Sequence, residues 1–130
     1  MQMLTTPAEF DALQDAPVAL VYKHSTRCPI SAMAFDEIEM LEEQRPDAPV
    51  YLVDVIDARS LSRHVAERTG IVHHSPQAIL LVGGRPVWSG SHFEVRAEVL
   101  ARKLDAVEGG TGSNAPESTA PDRGERRGAW

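Results

Sequence analysis

The sequence of 130 residues contains only one cysteine, Cys28. One cysteine cannot form an internal disulfide, so redox chemistry at this residue needs a thiol from another molecule. The sequence also lacks a basic segment followed by an apolar one near its start, and no apolar run approaches the roughly 18 residues of a membrane span. We therefore expect a cytoplasmic protein without a membrane partner.

Positive charge is scarce as well. Lys and Arg number 13 against 19 Asp and Glu, which gives a formal net charge of −6. Because nucleic-acid binding needs a concentrated basic surface, this composition predicts no nucleic-acid partner. The length and the 42% content of hydrophobic residues fit one globular domain, which we expect to be a monomer.

The composition changes after Glu108. Residues 109–130 are rich in Gly, Ser, Pro and charges of both signs, so they cannot bury enough apolar surface to offset the entropy lost on ordering. The sequence therefore predicts a folded domain at residues 1–108 and a disordered C-terminal tail at residues 109–130.

Apolar runs rich in β-branched residues predict three strands, and Gly83-Gly84 predicts a tight turn into a fourth. A helical connection between the first two strands predicts that they are parallel, whereas the turn makes the last two antiparallel. The fourth strand contains Pro86, which is tolerated at a sheet edge. The predicted strands are residues 17–23, 50–55, 77–82 and 86–90.

Helix-start signals lie before, between and after these strands. Thr6 and Ser91 each begin a capping box, Pro29 suits a first helical position, and Asp57 is predicted to cap the third helix. The predicted element order is αβαβαββα. This order describes an α/β fold in which helices flank a four-stranded mixed sheet.

Cys28 lies between the first predicted strand and the helix that begins at Pro29. This places Cys28 at the helix N-cap, where unpaired backbone N–H groups and the helix dipole favour thiolate over thiol. A lone cysteine is often only a small buried hydrophobic residue. Here Lys23, His24 and Arg27 supply basic groups nearby, and this polar setting favours a reactive nucleophile.

The whole of residues 5–108 resembles the three-layer thioredoxin fold. In that fold the helix after the first strand begins with Cys-x-x-Cys or Cys-x-x-Ser, and a cis-proline precedes the third strand. Cys28-Pro29-Ile30-Ser31 matches the Cys-x-x-Ser form, and Ser75-Pro76 matches the cis-proline element. Three separated blocks are similar to the monothiol bacilliredoxin-like proteins of the YtxJ type, namely residues 23–31, 74–77 and 91–92.

This resemblance implies a thiol–disulfide oxidoreductase that uses Cys28 to remove a low-molecular-weight thiol, bacillithiol, from protein mixed disulfides. It implies no tightly bound cofactor and no metal, with bacillithiol as co-substrate. The implied partners are S-thiolated client proteins and a reductase that resolves the enzyme. The implied catalytic residues are Cys28, Ser31 and Pro76. The implied substrate-binding residues are Thr26, Arg27, Pro29 and Ser75.

Two other functions remain open. A glutaredoxin-like protein could handle a metal ion or an iron–sulfur cluster, although the candidate ligands follow no recognised spacing. The domain could also be a non-catalytic thioredoxin-like binding module in which Cys28 is idle or serves as a redox-sensitive contact. Asp54, Asp57 and His64 fit a strand end, a helix cap and a surface helix position better than a site. The candidate metal ligands are His24, Cys28, His73, His74 and His92.

Overall fold

A five-stranded mixed sheet forms the centre of the protein, seen in a computed structural model that describes residues 1–108. The strand order across the sheet is β1-β3-β2-β4-β5. The predicted disordered tail, residues 109–130, lies outside the described residues. The strands are β1 (Gln2–Leu4), β2 (Val18–His24), β3 (Val50–Asp54), β4 (Gln77–Val82) and β5 (Arg85–Ser91).

Strand β1 was not predicted, so the prediction of four strands was one strand short. It has three residues, too few to show a periodic pattern, and of these only Leu4 is buried. The strand forms because it pairs in parallel with the outer edge of β3, where Leu4 lies opposite Val53. Pairing with a distant strand, rather than local pattern, specifies β1.

Both predicted strand pairings are present, since β2 is parallel to β3 and β4 is antiparallel to β5. Strand β2 also pairs antiparallel with β4, which joins the two pairs into one sheet. Lys23 near the end of β2 lies opposite Gln77 at the start of β4. The loop that follows β2 and the segment that precedes β4 therefore lie at the same edge of the sheet.

Four α-helices cover the two faces of this sheet. Their order along the chain agrees with the predicted αβαβαββα order, with β1 added at the start. None of the helices in residues 1–108 has the length and apolar character needed to cross a membrane. The helices are α1 (Pro7–Asp11), α2 (Pro29–Gln44), α3 (Arg59–Thr69) and α4 (Ala97–Glu108).

The predicted cap at Thr6 is present, but the one at Asp57 is wrong. At α1, the Glu9 N–H donates to Thr6 Oγ1 at 3.2 Å, and Glu9 Oε1 accepts from the Thr6 N–H at 3.1 Å. The residue before α3 is Ala58, which makes no side-chain cap. Instead, Asp54 accepts from the N–H groups of residues 56 and 57 at 2.9 and 3.1 Å. The carboxylate that closes this turn thus comes from the end of β3.

The capping box at Ser91 opens a different element from the one predicted. Glu94 Oε1 accepts from the Ser91 N–H at 2.8 Å, but this box begins a short 3-10 helix, His92–Glu94. Helix α4 starts later, and Glu37 of α2 accepts from the Ala97 N–H at 2.8 Å. A tertiary contact therefore holds the start of α4.

The core is divided between the two faces of the sheet. One cluster packs β2 and β4 against α2 and α4, and it includes Leu20, Ile38 and Leu100. The other packs the opposite face against α1 and α3, and it includes Val21 and Val65. Because side chains alternate along a strand, neighbouring residues of β2 enter different clusters.

Candidate active site

Cys28 occupies the N-cap of α2, as predicted, and Pro29 is the first helical residue. Its φ and ψ of −114° and 120° are extended, which is usual for an N-cap. The Cys28 carbonyl accepts the N–H of Ser31 at 3.0 Å and that of Ala32 at 3.3 Å. The helix therefore begins directly beneath the sulfur, and proline costs no hydrogen bond at this position.

The thiol of Cys28 is free and partly exposed. The backbone N–H of Ser31 lowers the pKa of this thiol, and the N–H of Ile30 and the Ser31 hydroxyl act in the same direction against the effect of burial. The Cys28 side chain makes no capping hydrogen bond to the helix backbone. The thiolate is thus favoured by the partial positive charges that face it at the helix start.

Ser31 is completely buried and connects the cysteine loop to the helix. Its Oγ accepts from the Ser25 N–H at 3.3 Å, and its carbonyl accepts from the Tyr22 hydroxyl at 3.0 Å. Cys28 N–H donates to the Ser25 carbonyl at 3.3 Å. These bonds hold the loop between β2 and α2 in one shape and place a hydroxyl group beside the sulfur.

Sequence reasoning missed the contact between the buried Tyr22 and the partly buried His24. The Tyr22 hydroxyl lies 3.0 Å from His24 Nδ1, and it donates its single proton to the Ser31 carbonyl. It must therefore accept a proton from His24, which places the imidazole hydrogen on Nδ1. Burial raises the pKa of the Tyr22 hydroxyl, and the charge of Cys28 adds to this increase. The one available signal was a tyrosine and a histidine two residues apart at the end of a strand.

The Ser75–Pro76 peptide bond is cis, as the resemblance implied. Pro76 is buried and Ser75 partly buried at the edge where β4 begins. The Pro76 carbonyl accepts from the His92 N–H at 2.9 Å, which ties this segment to the end of β5. The register of β2 and β4 brings the segment to the edge that also carries Cys28.

Thr26, Arg27 and Pro29 form the exposed part of the predicted site. The Arg27 N–H donates to Ser25 Oγ at 3.3 Å, so the backbone of this loop is held. In the described part of the chain, the side chains of Thr26 and Arg27 make no hydrogen bond or ion pair with the protein. Their roles in substrate binding remain predictions.

The three basic residues near Cys28 have different surroundings. Arg27 is exposed, whereas the partly buried His24 packs against Phe35 with a ring-centroid distance of 5.2 Å. Burial lowers the pKa of His24, and Asp54 partly opposes this change. Lys23 is completely buried and donates to Gln77 Oε1 at 3.0 Å. Alternation along β2 turns Lys23 to the sheet face opposite Tyr22.

The remaining histidines are divided among separate contacts. His73 Nδ1 lies 3.3 Å from Ser62 Oγ, and the rings of His74 and His92 are 5.5 Å apart. His64 Nε2 lies 2.7 Å from Asp11 Oδ1. Residues 1–108 contain no group of three or more His, Cys, Asp or Glu side chains placed to hold a metal ion. The metal-handling hypothesis therefore gains no support from this geometry.

Comparison with known protein families identifies the family of this chain. A family model described as "Monothiol bacilliredoxin BrxC" matches residues 2–100. The chain belongs to the monothiol bacilliredoxin family. As a bacilliredoxin family member it has the thioredoxin fold and a thiol redox role, and it is an oxidoreductase of the monothiol type.

Solved structures agree with this bacilliredoxin assignment. One is described as a candidate oxidoreductase with a thioredoxin fold, and it is 33% identical with a TM-score of 0.74, covering 79% of this chain and 92% of its own. Thioredoxin from Fasciola hepatica is 18% identical with a TM-score of 0.65 over 80% of this chain and 96% of its own. A mutant thioredoxin from Halobacterium salinarum is 20% identical with a TM-score of 0.67 over 82% and 88%. The two thioredoxins show the fold alone.

Proposed function

We propose that this bacilliredoxin family member removes bacillithiol from mixed disulfides on client proteins, with Cys28 as the only sulfur nucleophile. The observation that supports this most directly is the partly exposed Cys28 thiol at the start of α2, whose pKa is lowered by the Ser31 N–H. A thiolate is the attacking form in thiol–disulfide exchange. The only cysteine of the sequence thus stands in a setting that favours its reactive form.

The first step exchanges one disulfide for another. The Cys28 thiolate attacks the bacillithiol sulfur of the mixed disulfide, a new S–S bond forms, and the bond to the client breaks. The client cysteine leaves as a thiolate, which takes a proton from water according to its own pKa. The client is thereby freed, and the small thiol is carried on Cys28.

The second step needs a sulfur from outside the protein. Ser31 stands where a dithiol relative has its second cysteine, and a hydroxyl group cannot reduce a disulfide. A second bacillithiol thiolate attacks the bacillithiol sulfur on Cys28, which releases bacillithiol disulfide and regenerates the Cys28 thiolate. A partner reductase with its own thiol pair is the other chemical route to the same end. The protein itself needs no tightly bound cofactor for either route.

The residues around Cys28 have distinct roles in this proposal. The Ser31 hydroxyl stabilises the thiolate, and the exposed side chains of Thr26 and Arg27, with Pro29, contact the small thiol. Pro76 has no N–H group to compete for a ligand, while the Ser75 backbone pairs with an extended client segment. The protein acts as a monomer in the cytoplasm on S-thiolated clients.

The test compares one client protein loaded in turn with bacillithiol and with glutathione on the same cysteine. We expect bacillithiol to be released from the client faster than glutathione. Mass spectrometry of the reacted protein should show one added bacillithiol. Cys28→Ser is the matched control, because it removes the only thiol of the chain. A wild-type protein that reacts with neither mixed disulfide would overturn the proposal and favour a non-catalytic binding module. Equal rates would overturn the choice of bacillithiol as substrate.

A further inference from the structure

Lys23 is an unusual residue in the described structure. It is 0% exposed, yet its ammonium group forms no ion pair with any carboxylate in residues 1–108. Its recorded partner is the neutral side chain of Gln77, at 3.0 Å. Burial lowers the pKa of Lys23 to about 8, which reflects the cost of placing a charge there. An apolar residue at this position, which lies on the same face of β2 as Val21, would avoid this cost.

The lysine holds the oxygen end of the Gln77 amide. An ammonium group has only donors, so Gln77 must turn its oxygen toward Lys23 and its NH2 group away from it. In that orientation Gln77 Nε2 donates to the Val72 carbonyl at 3.0 Å and lies 3.4 Å from Ser91 Oγ. The Val72 carbonyl can only accept, so it favours the same orientation, and Lys23 and Val72 hold the Gln77 amide at its two ends.

These bonds hold the cis-proline segment, defined as residues 72–76. Val72 at its start is bonded to Gln77, the residue that directly follows its end. The Pro76 carbonyl is held by the His92 N–H at 2.9 Å. No helix or strand contains the segment, so these few bonds supply its backbone with partners. It lies at the sheet edge where β2 leads to Cys28.

We propose that Lys23 is a positioning residue for thiol–disulfide exchange: by anchoring the amide oxygen of Gln77, it fixes the cis-proline segment at the sheet edge that also carries Cys28. This inference rests on the proposed function. Lys23 does not touch the reacting sulfurs, since it is completely buried on the sheet face opposite Tyr22, with Gln77 as its partner. Its buried charge is retained at a cost in stability because its donor holds Gln77, whose NH2 group in turn bonds the segment.

The proposal predicts that stability and activity change in opposite directions in Lys23→Met. Methionine fills a similar volume without a charge, so the urea midpoint should rise. Exchange with a client mixed disulfide should slow about tenfold, because a mispositioned disulfide reacts poorly. Alkylation of Cys28 by iodoacetamide needs no docked client, and its rate should change by less than about twofold.

Two further variants make the test specific. Gln77→Glu keeps an oxygen acceptor for Lys23 but loses the NH2 group that donates to Val72, so it should slow client exchange to a similar degree without slowing alkylation. Lys103→Met is the matched control, since it removes the only other lysine of the chain, which lies on α4 against Trp88. It should leave client exchange unchanged.

Three results would overturn the inference. One is Lys23→Met exchanging with the client at the wild-type rate. Another is a lower urea midpoint together with lower activity, which would indicate an ordinary structural role. The third is a parallel fall in alkylation, which would place the effect on the Cys28 thiolate instead of the segment. If the wild-type protein itself does not exchange, the proposed function fails first, and this result is separate from the other three.

Discussion

Tyr22 and Lys23 are consecutive residues of β2, both completely buried, and they face opposite sides of the sheet. On the α2 side, the Tyr22 hydroxyl has two partners, His24 and Ser31, at 3.0 Å each. On the α3 side, the ammonium group of Lys23 has one neutral partner. A buried neutral hydroxyl with its bonds formed costs little, whereas a buried charge without a counter-ion costs much. Tyr22 thus adds to stability on its face of the sheet, whereas the charge of Lys23 lowers stability on the other face.

The largest expected difference between the two faces is in the pH dependence of stability. Lys23 has a pKa of about 8 in the folded protein against an ordinary value of 10.5. Below pH 8 both states carry the proton and the cost of burial is complete; between these values the unfolded state binds more protons, so stability rises with pH. Between these two pH values, the free energy of unfolding of the wild type should increase by about 3 kcal/mol more than that of Lys23→Met.

Urea unfolding of both proteins at several values between pH 7 and pH 10 measures this gain. Cys28 and Tyr22 also titrate in alkaline solution, but both proteins contain them, so their contributions cancel in the difference. Parallel curves for the two proteins would mean that the Lys23 ammonium is as well solvated in the folded state as in the unfolded one.

The corresponding change on the α2 side should have the opposite sign. Tyr22→Phe removes the hydroxyl and leaves the Ser31 carbonyl and His24 Nδ1 without their buried partner. We expect a loss of about 2 kcal/mol in the free energy of unfolding. Tyr51→Phe is the matched control, because Tyr51 lies partly buried on β3 and is the only other tyrosine. Similar losses in the two variants would show that the Tyr22 hydroxyl bonds add nothing.

A smaller expected difference between the two faces is in the pKa of the Cys28 thiol. Ser31→Ala removes a hydroxyl that lowers the pKa of Cys28 but keeps the backbone N–H groups, so the pKa should rise while staying below that of a free thiol. Ser62→Ala makes the same chemical change at a buried serine on α3, next to His73. It should leave the pKa unchanged. Iodoacetamide alkylation as a function of pH gives both values, and an equal rise in the two variants would contradict the assignment.

The smallest expected effect concerns His24. Burial should place its pKa below the ordinary 6.5, with Asp54 limiting the decrease. The neutral ring should carry its hydrogen on Nδ1, because the Tyr22 hydroxyl donates to Ser31. Nitrogen-15 NMR of the imidazole reports both the titration and the tautomer. A ring protonated on Nε2 when neutral would show that the Tyr22 hydroxyl donates to His24 instead.

The parts of the site that follow local rules were accessible from the sequence. Pro29 at a first helical position places Cys28 at an N-cap by backbone geometry alone, and the structure has this arrangement. The thioredoxin fold and the bacilliredoxin family followed from separated motifs and are confirmed. The roles given to Ser31, Pro76 and the substrate-binding residues stay predictions.

The parts that depend on distant contacts were not accessible. Strand β1 forms only through its pairing with β3, and α3 begins at Arg59 because Asp54 closes the preceding turn. The Tyr22 hydroxyl reaches a carbonyl nine residues away on α2, which no spacing rule predicts. Lys23 at the end of an apolar run is typical of a strand that emerges into solvent, and only the folded structure, in which it pairs with Gln77, shows that it is buried.

The alternation along β2 has a practical consequence for protein engineering. Inserting or deleting a single residue between Val18 and Tyr22 would exchange the faces on which the tyrosine and the lysine lie. The phenol would then lie on the side where Lys23 meets Gln77, and the ammonium group would enter the apolar cluster packed by α2 and α4. Directed-evolution libraries for this chain should therefore keep the length of β2 constant and vary composition alone.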